Sequence, residues 1–396
     1  MKILVVNNLY FPNIKGGAEV STQIICEQLV ELGHQVVVYS LDNCKSQHQS
    51  EINGVKVNYL PIKNVYWPFD ESTSRGGRSK LNFFAQDAYN LKVSRQFQEI
   101  IRNEQPDIVH TSNLYGFSVS VWSAAKINKI PVVHTLRDYY LLCRKGSLFV
   151  GGDNCEKRCL SCQLYSVPRS LVSQDVSAVI GVSQHILRAH LSAGLFGSAS
   201  IRSVIHNPYR PKRDVVISIS ANSKPSNGLV FGYIGRVSEE KGIGKLIAAF
   251  ARLNDSSSIL RIAGAYTEEY KNHLTDLAGE SKVQFLGHID AESFFSQIDV
   301  LVMPSLWHEP FGRGVVEAYA YGLPVIASRR GGLQEIVLDP QNSLFEPTDV
   351  DSIVHSLRWA SSSTFSKTEF TEAAVGYAPL KLAEEVEGLY RNVLGR

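Results

Sequence analysis

At roughly 150 residues per domain, a chain of 396 residues implies two domains. With 44% apolar and 20% charged residues, it is not a disordered chain, a collagen-like fibre or a disulfide-stapled miniprotein. The net charge of +2 is unevenly spread: residues 1–200 hold 20 Lys/Arg against 15 Asp/Glu, leaving 20 against 23 for the rest. The basic half suits an anionic partner such as a lipid headgroup, a phosphorylated acceptor or nucleic acid, or simply forms a solvated face. No apolar run approaches the ~20 residues of a membrane span. The N-terminal MKILVV meets polar Asn7-Asn8 with no small-residue cleavage site after it, so it reads as a buried strand rather than a signal peptide. A cytoplasmic location is therefore expected.

In chain order, strands are expected at residues 2–8, 35–41, 55–60, 107–111, 130–135 and 178–183. Their Val/Ile runs lack strict alternation, as in strands covered on both faces. Helical patterns at 21–32, 85–103 and 118–127 lie between them, which argues for βα units around a parallel sheet. From 207 to 228 the texture turns to Pro, Ser and Arg without a helical period, and this is the expected linker. Strands restart at 229–235, 259–264, 283–287, 299–305 and 324–328, and an amphipathic helix closes the chain at 379–394. The expected fold is α/β, with two Rossmann-like doubly wound units. They comprise residues 1–206 with 379–396, and residues 229–378.

In open α/β sheets, ligands bind beyond the carboxyl ends of the strands, so the strand-to-helix turns carry the candidate chemistry. Gly16-Gly17 opens a helix after the first strand, where bare amides let an anion approach. An ordinary loop-to-helix turn would look the same. In the second half, Gly235-Arg236 ends a strand and Lys241 lies five residues on, so a guanidinium and an ammonium can converge on a diphosphate. They can also be two solvated cations. Next comes HEPFGRGVVEAYAYGLPVIAS. Glu309 stands before the apparent helix start, Pro310 suits its first turn, and Phe311, Gly312, Gly314 and Val315 line it. Glu317 follows eight residues after Glu309, and each carboxylate can hold a vicinal diol.

The segments GGAE, YIGRVSEEKGI, EPFGRGVVEAYAYGLPVIAS and GGLQEIV, in this order, resemble family 4 retaining glycosyltransferases of the GT-B fold across essentially the whole chain. DIVH ending at His110 and IHNP at 205–208 add to the likeness. The resemblance implies two Rossmann-like domains facing across a cleft, the first binding acceptor and the second donor, with the last helix returning to the first. It implies that Arg236 and Lys241 hold the donor diphosphate, Glu309 the sugar hydroxyls and Glu317 the ribose. Gly16 and Gly17 would approach the phosphates from the other wall. Gly235, Phe311, Gly312, Gly314 and Val315 would complete the donor site. The implied reaction is retaining transfer from a UDP- or GDP-sugar to a glycan or lipid-diphosphate-linked acceptor. It would need no cofactor or metal, because fixed cations and helix-end amides neutralise the leaving group.

Where many members carry His-Asp after the strand at 130–135, this chain reads Arg137-Asp138. Arginine cannot serve as a base, but it can hold a phosphate or an acidic sugar. Arg137 and Asp138 then join Arg236, Lys241 and Glu309 as catalytic candidates, with His134 and His110 as the acceptor- or sugar-proximal ones, and a local Arg137–Asp138 ion pair is the plain alternative. A nucleotide-sugar epimerase of the same fold and a non-catalytic nucleotide-sugar-binding subunit remain alternatives. A nucleic-acid partner is not expected.

Four of the six cysteines, Cys143, Cys155, Cys159 and Cys162, fall within twenty residues as C-x11-C-x3-C-x2-C. Structural zinc, reduced buried thiols and partial disulfide pairing are the open readings of that loop. The stretch 75–102, with Arg75, Arg78, Lys80, Lys92, Arg95, Arg102, Phe83 and Phe84, reads either as an interfacial helix on an anionic membrane or as an ordinary surface helix.

Overall fold

The structure, a computed structural model, describes residues 1–70, 76–211 and 228–396. The chain divides into two compact units. The first comprises Met1–Leu148, Cys155–Pro208 and Pro379–Arg396, and the second Phe149–Asn154 and Tyr209–Ala378. Most of the expected linker, residues 212–227, lies outside the described residues, as does Arg75.

The first unit begins with β1 (Lys2–Val6), α1 (Gly17–Glu31), β2 (Gln35–Asp42), β3 (His48–Ile52), β4 (Val55–Pro61), α2 (Gly77–Ala88) and α3 (Leu91–Glu104). It continues through β5 (Ile108–Thr111), α4 (Ser120–Ile127) and β6 (Val132–Leu136). The two-residue strands β7 (Phe149–Val150) and β8 (Asp153–Asn154) pair as a hairpin that groups with the second unit. Then α5 (Leu160–Val172), β9 (Ala178–Gly181), α6 (Gln184–Ser192) and β10 (Ile201–Val204) complete the sheet. Its order is β10-β9-β6-β5-β1-β2-β4-β3, parallel except for the edge strand β3. Val36, Val37 and Val38 are all buried, which explains the absent alternation: helices cover both faces.

Two local differences from the sequence reading have clear causes. The single helix expected at 85–103 is two helices, because the Asn90 side chain accepts from the Lys92 and Val93 amides and starts α3 afresh. The β3–β4 hairpin turns on Asn53-Gly54, both at positive φ (50° and 78°), the conformation a two-residue hairpin turn requires.

The second unit runs β11 (Val230–Ile234), α7 (Ile243–Leu253), β12 (Ile259–Ala263), α8 (Glu268–Ala278), β13 (Val283–Gly287), α9 (Ala291–Phe295) and β14 (Val300–Met303). It ends with α10 (Arg313–Ala320), β15 (Val325–Ser328), α11 (Leu333–Ile336), β16 (Leu344–Phe345), α12 (Val350–Ser362) and α13 (Lys367–Val375). Its sheet is wholly parallel, in the order β13-β12-β11-β14-β15-β16, with the direction of winding reversing between β11 and β14. Phe231, Leu246, Ile247, Leu260, Ile262 and Leu357 are buried together in its core. Truncating any one of these leucines to alanine would cost about 2–5 kcal/mol.

The last helix, α14 (Pro379–Leu394), belongs to the first unit and packs on α1. Leu382, Val386, Leu389 and Tyr390 form its buried stripe. Its polar ties include His34 to Glu387 at 3.0 Å and, just past its end, Arg396 to Asp107 at 3.2 Å. Among the described residues, no helix is long and apolar enough to cross a membrane.

Candidate functional site

In the second unit, the candidate residues collect where the winding reverses, at the carboxyl ends of β11 and β14. After β11 the chain passes Gly235 and Arg236, makes a 3-10 turn at Glu239–Lys241, and enters α7 through Gly242. Glu240 O accepts from the Leu306 and Trp307 amides (3.0 and 3.1 Å), which pins this turn to the loop after β14. Gly242 has φ 72°, and a Cβ there would stand 2.0 Å from Pro304 O, so only glycine permits the approach.

That approach brings Lys241 Nζ to 2.5 Å from Glu309 Oε1, with both side chains largely buried. The ammonium also lies 4.9 Å from the centroid of the Trp307 ring. Glu309 is held from behind by the glycine pair before α11: the Gly332 amide donates to Glu309 O at 2.7 Å. A Cβ at Gly331 would meet the same carbonyl at 2.2 Å. Arg236, by contrast, is mostly exposed and makes a long ion pair with Glu240 at 3.5 Å.

The α10 helix starts at Arg313, capped by Gly312 at φ 101°, so Pro310 lies ahead of the helix and not in its first turn as the sequence suggested. Gly314 and Val315 sit in the first turn of α10, and Phe311 is buried against Tyr377. Glu317 pairs with Arg313 one turn earlier at 2.7 Å. Burial raises the Glu317 pKa, and the Arg313 charge opposes the shift. The sequence reading missed Arg313 as the partner of Glu317, although its i,i+4 spacing was a usable signal. It also missed Asn154 of the β7–β8 hairpin, whose side chain donates to Leu306 O (2.6 Å) and accepts from the His308 amide (2.9 Å). Asp349-Val350-Asp351 has the spacing of a metal-binding carboxylate pair, but its local job is structural. Asp349 caps α12 by accepting from the Asp351 amide, and Asp351 pairs with Arg252.

In the first unit, Gly16 precedes α1 with extended backbone, and a Cβ there would meet only Glu19 Oε2 at 3.7 Å. Neither strain nor crowding demands this glycine. Its amide is already occupied, since Glu19 Oε2 accepts it at 2.8 Å. Burial raises the Glu19 pKa, while three backbone amides and Arg137 oppose that shift. Arg137 donates to Asn207 Oδ1, and Asp138 accepts the Tyr140 amide at 2.9 Å. Burial first, and then the Glu19 charge, push the Asp138 pKa up to about 6.

The two histidines are corrected to core residues. His110 Nδ1 meets Tyr390 Oη at 2.5 Å and Nε2 meets Thr135 Oγ1 at 2.7 Å, so His110 ties α14 to the sheet. His134 bonds Thr111 and stacks on Phe196. Burial lowers both pKa values, that of His110 to about 3.

The aromatic residues of the 75–102 stretch also point inward. Phe83 is buried against Tyr66, and Phe84 packs on Tyr165. Leu81 and Leu91 of that stretch are exposed singly, and a longer exposed apolar stripe lies on α5, where Leu160, Leu164, Val167 and Leu171 are 70, 65, 52 and 69% exposed. The helix is anchored from its other side by Arg169, fully buried against Asp87 at 3.0 Å and over the rings of Tyr140 and Tyr165.

Two family models match the chain: "Glycosyl transferase 4-like domain" over residues 16–208 and "Glycosyl transferases group 1" over residues 217–375. The chain belongs to the group 1 glycosyltransferases, with the GT-B fold. This glycosyltransferase is 37% identical over 355 residues, 89% of its length and 92% of the relative's, to a 42.6 kDa protein in the cps region of Klebsiella pneumoniae. It is 34% identical over 142 residues to the lipopolysaccharide core biosynthesis glycosyltransferase LpsE of Rhizobium meliloti, covering 36% of this chain and 42% of that one. Its fold is similar to that of Anabaena HepE in complex with UDP and glucose, with TM-score 0.67, 21% identity and coverage of 99% and 100% of the two chains.

Proposed function

We propose that this glycosyltransferase moves a sugar from a nucleotide-diphosphate donor to a glycan or lipid-linked glycan acceptor in surface polysaccharide assembly. Transfer proceeds with retention of anomeric configuration and without an essential metal. The observation that carries this reading is the Lys241–Glu309 pair at the winding reversal of the second sheet, with Arg236 on the same turn and the α10 amides beside it. The relatives' cps and lipopolysaccharide settings, and the UDP and glucose bound by HepE, support the same reading.

Each residue then has a physical task. Lys241 and Arg236 neutralise the charge that grows on the departing diphosphate. Glu309 keeps Lys241 in place and accepts sugar hydroxyls with its remaining lone pairs. Glu317, oriented by Arg313, accepts the ribose diol. The departing phosphate takes the proton from the acceptor hydroxyl, so no enzymic base is required. Incubation with a panel of UDP-, GDP- and dTDP-sugars plus lipid-linked acceptor tests this. Release of nucleoside diphosphate by the wild type, lost in Glu317→Gln, is expected. Equal release by both proteins overturns the site.

A lipid-carried acceptor also calls for contact with an anionic membrane. The α5 stripe, preceded by Lys157 and Arg158, has the required amphipathic composition. Wild-type protein should float with vesicles containing anionic lipid, and Leu164→Glu/Leu171→Glu should not. Flotation of neither protein removes the membrane from the account.

A further inference from the structure

The 143–162 segment gathers four thiols. The Gly146 amide closes a turn onto Cys143 O at 3.0 Å, and the Cys155 amide donates to Leu148 O at 2.7 Å. Cys159 is the N-cap of α5, and Cys162 lies in its first turn. The Cys143 and Cys162 sulfurs are 3.8 Å apart. Cys159 and Cys162 are within hydrogen-bonding reach of each other, and Cys155 is close enough to Cys143 and Cys159 to interact electrostatically with both. An edge of a zinc tetrathiolate with Zn–S near 2.3 Å is about 3.8 Å long, whereas a disulfide holds its sulfurs at about 2.05 Å.

Two features suit thiolates bound to a cation. The Arg144 amide lies near the Cys162 sulfur, and the Ser161 and Cys162 amides lie near the Cys159 sulfur, where each favours the thiolate form. Such N–H groups orient metal-bound ligands and hold their charge. Arg144, Lys145, Lys157 and Arg158 interleave with the cysteines, and four cations offset the net charge of about −2 on a zinc tetrathiolate.

We propose that Cys143, Cys155, Cys159 and Cys162 bind one zinc ion. Four protein ligands leave no open position, so the ion is structural. It fixes the loop and the first turn of α5, the helix that carries the exposed apolar stripe. The partly exposed Cys155 and the exposed Cys159 supply the outer thiolates, which the ion draws inward onto Cys143 and Cys162. Asp42, Cys44 and His48 form a competing group: among the described residues only their ligand atoms already lie within 4.8 Å of one another, so the four sulfurs have to close up as the ion binds.

The test is elemental analysis of the full-length chain purified under reducing conditions without added metal, followed by chelator competition. About one zinc per chain is expected. Cys155→Ser and Cys159→Ser should each lower apparent zinc affinity at least about tenfold. Cys159→His restores a competent ligand and should keep the zinc, as should Cys44→Ser. Cobalt exchanged into the wild type should give the absorption of a tetrahedral thiolate complex. Less than about 0.2 equivalents of zinc in folded wild type overturns the proposal. So does zinc lost from Cys44→Ser but kept by Cys159→Ser, or a Cys143–Cys162 disulfide found by mass mapping.

Discussion

Replacing Lys241 with methionine keeps an unbranched side chain, one atom shorter, and removes its charge. Across 2.5 Å, the gross attraction to Glu309 is about 7 kcal/mol at an effective dielectric of about 20. Desolvation of two largely buried groups cancels much of that. Removing one partner strands the other, at a cost of about 3 kcal/mol. The variant should therefore melt several degrees lower. It should also lose one of two cations on the leaving diphosphate, worth about 100- to 1,000-fold in kcat, or about 3–4 kcal/mol. The double variant Lys241→Met/Glu309→Gln separates the two effects. It should recover much of the stability, because no carboxylate is left stranded, while turnover stays low. Calorimetry and nucleoside diphosphate release from the active donor read both quantities. Turnover within about threefold of wild type, together with an unchanged melting temperature, would refute the reasoning.

Three further outcomes follow from the geometry. Gly242→Ala places a Cβ 2.0 Å from Pro304 O at φ 72°, so it should cost at least about 2 kcal/mol in urea melts and lower donor turnover, because Lys241 moves with the turn. An unchanged midpoint would contradict the close approach. Tyr390→Phe leaves His110 Nδ1 unpartnered in the core and should cost about 1–3 kcal/mol with little change in donor KM; a large KM effect would argue against a purely packing role. Asp138 has a folded pKa of about 6, above its unfolded value near 3.9, so the native state resists its ionisation. It carries no penalty below pH 4, and the penalty grows through pH 4–6 to about 3 kcal/mol. Asp138→Asn should therefore gain stability relative to wild type by about that amount between pH 4 and pH 7. Parallel urea-stability curves at the two pH values would contradict the burial.

The strand-helix alternation was legible because buried parallel strands write themselves as Val/Ile runs, and β13 at Val283–Gly287 and α14 at Pro379–Leu394 match their expected spans. The β3–β4 hairpin was equally legible in Asn53-Gly54 but went unread. At the site, the sequence named Lys241 and Glu309 but not their ion pair, since residues 68 positions apart meet only through the β11–β14 pairing. The Arg313–Glu317 pair was written in plain i,i+4 spacing. His110 and His134 were misassigned because a histidine in a strand looks the same in sequence whether it faces a ligand or, as here, Tyr390 and Thr111. Burial decides that difference, and for His110 the contact comes from a helix 280 residues away along the chain.

The central claim is retaining sugar transfer carried by the Lys241–Glu309 site. Its most direct test is the anomeric configuration of the first-formed product, read by NMR from an α-linked nucleotide-sugar donor with wild-type protein and with Lys241→Met. The account predicts an α-linked product from the wild type and almost none from the variant. A β-linked product, or equal product from both proteins, would contradict it.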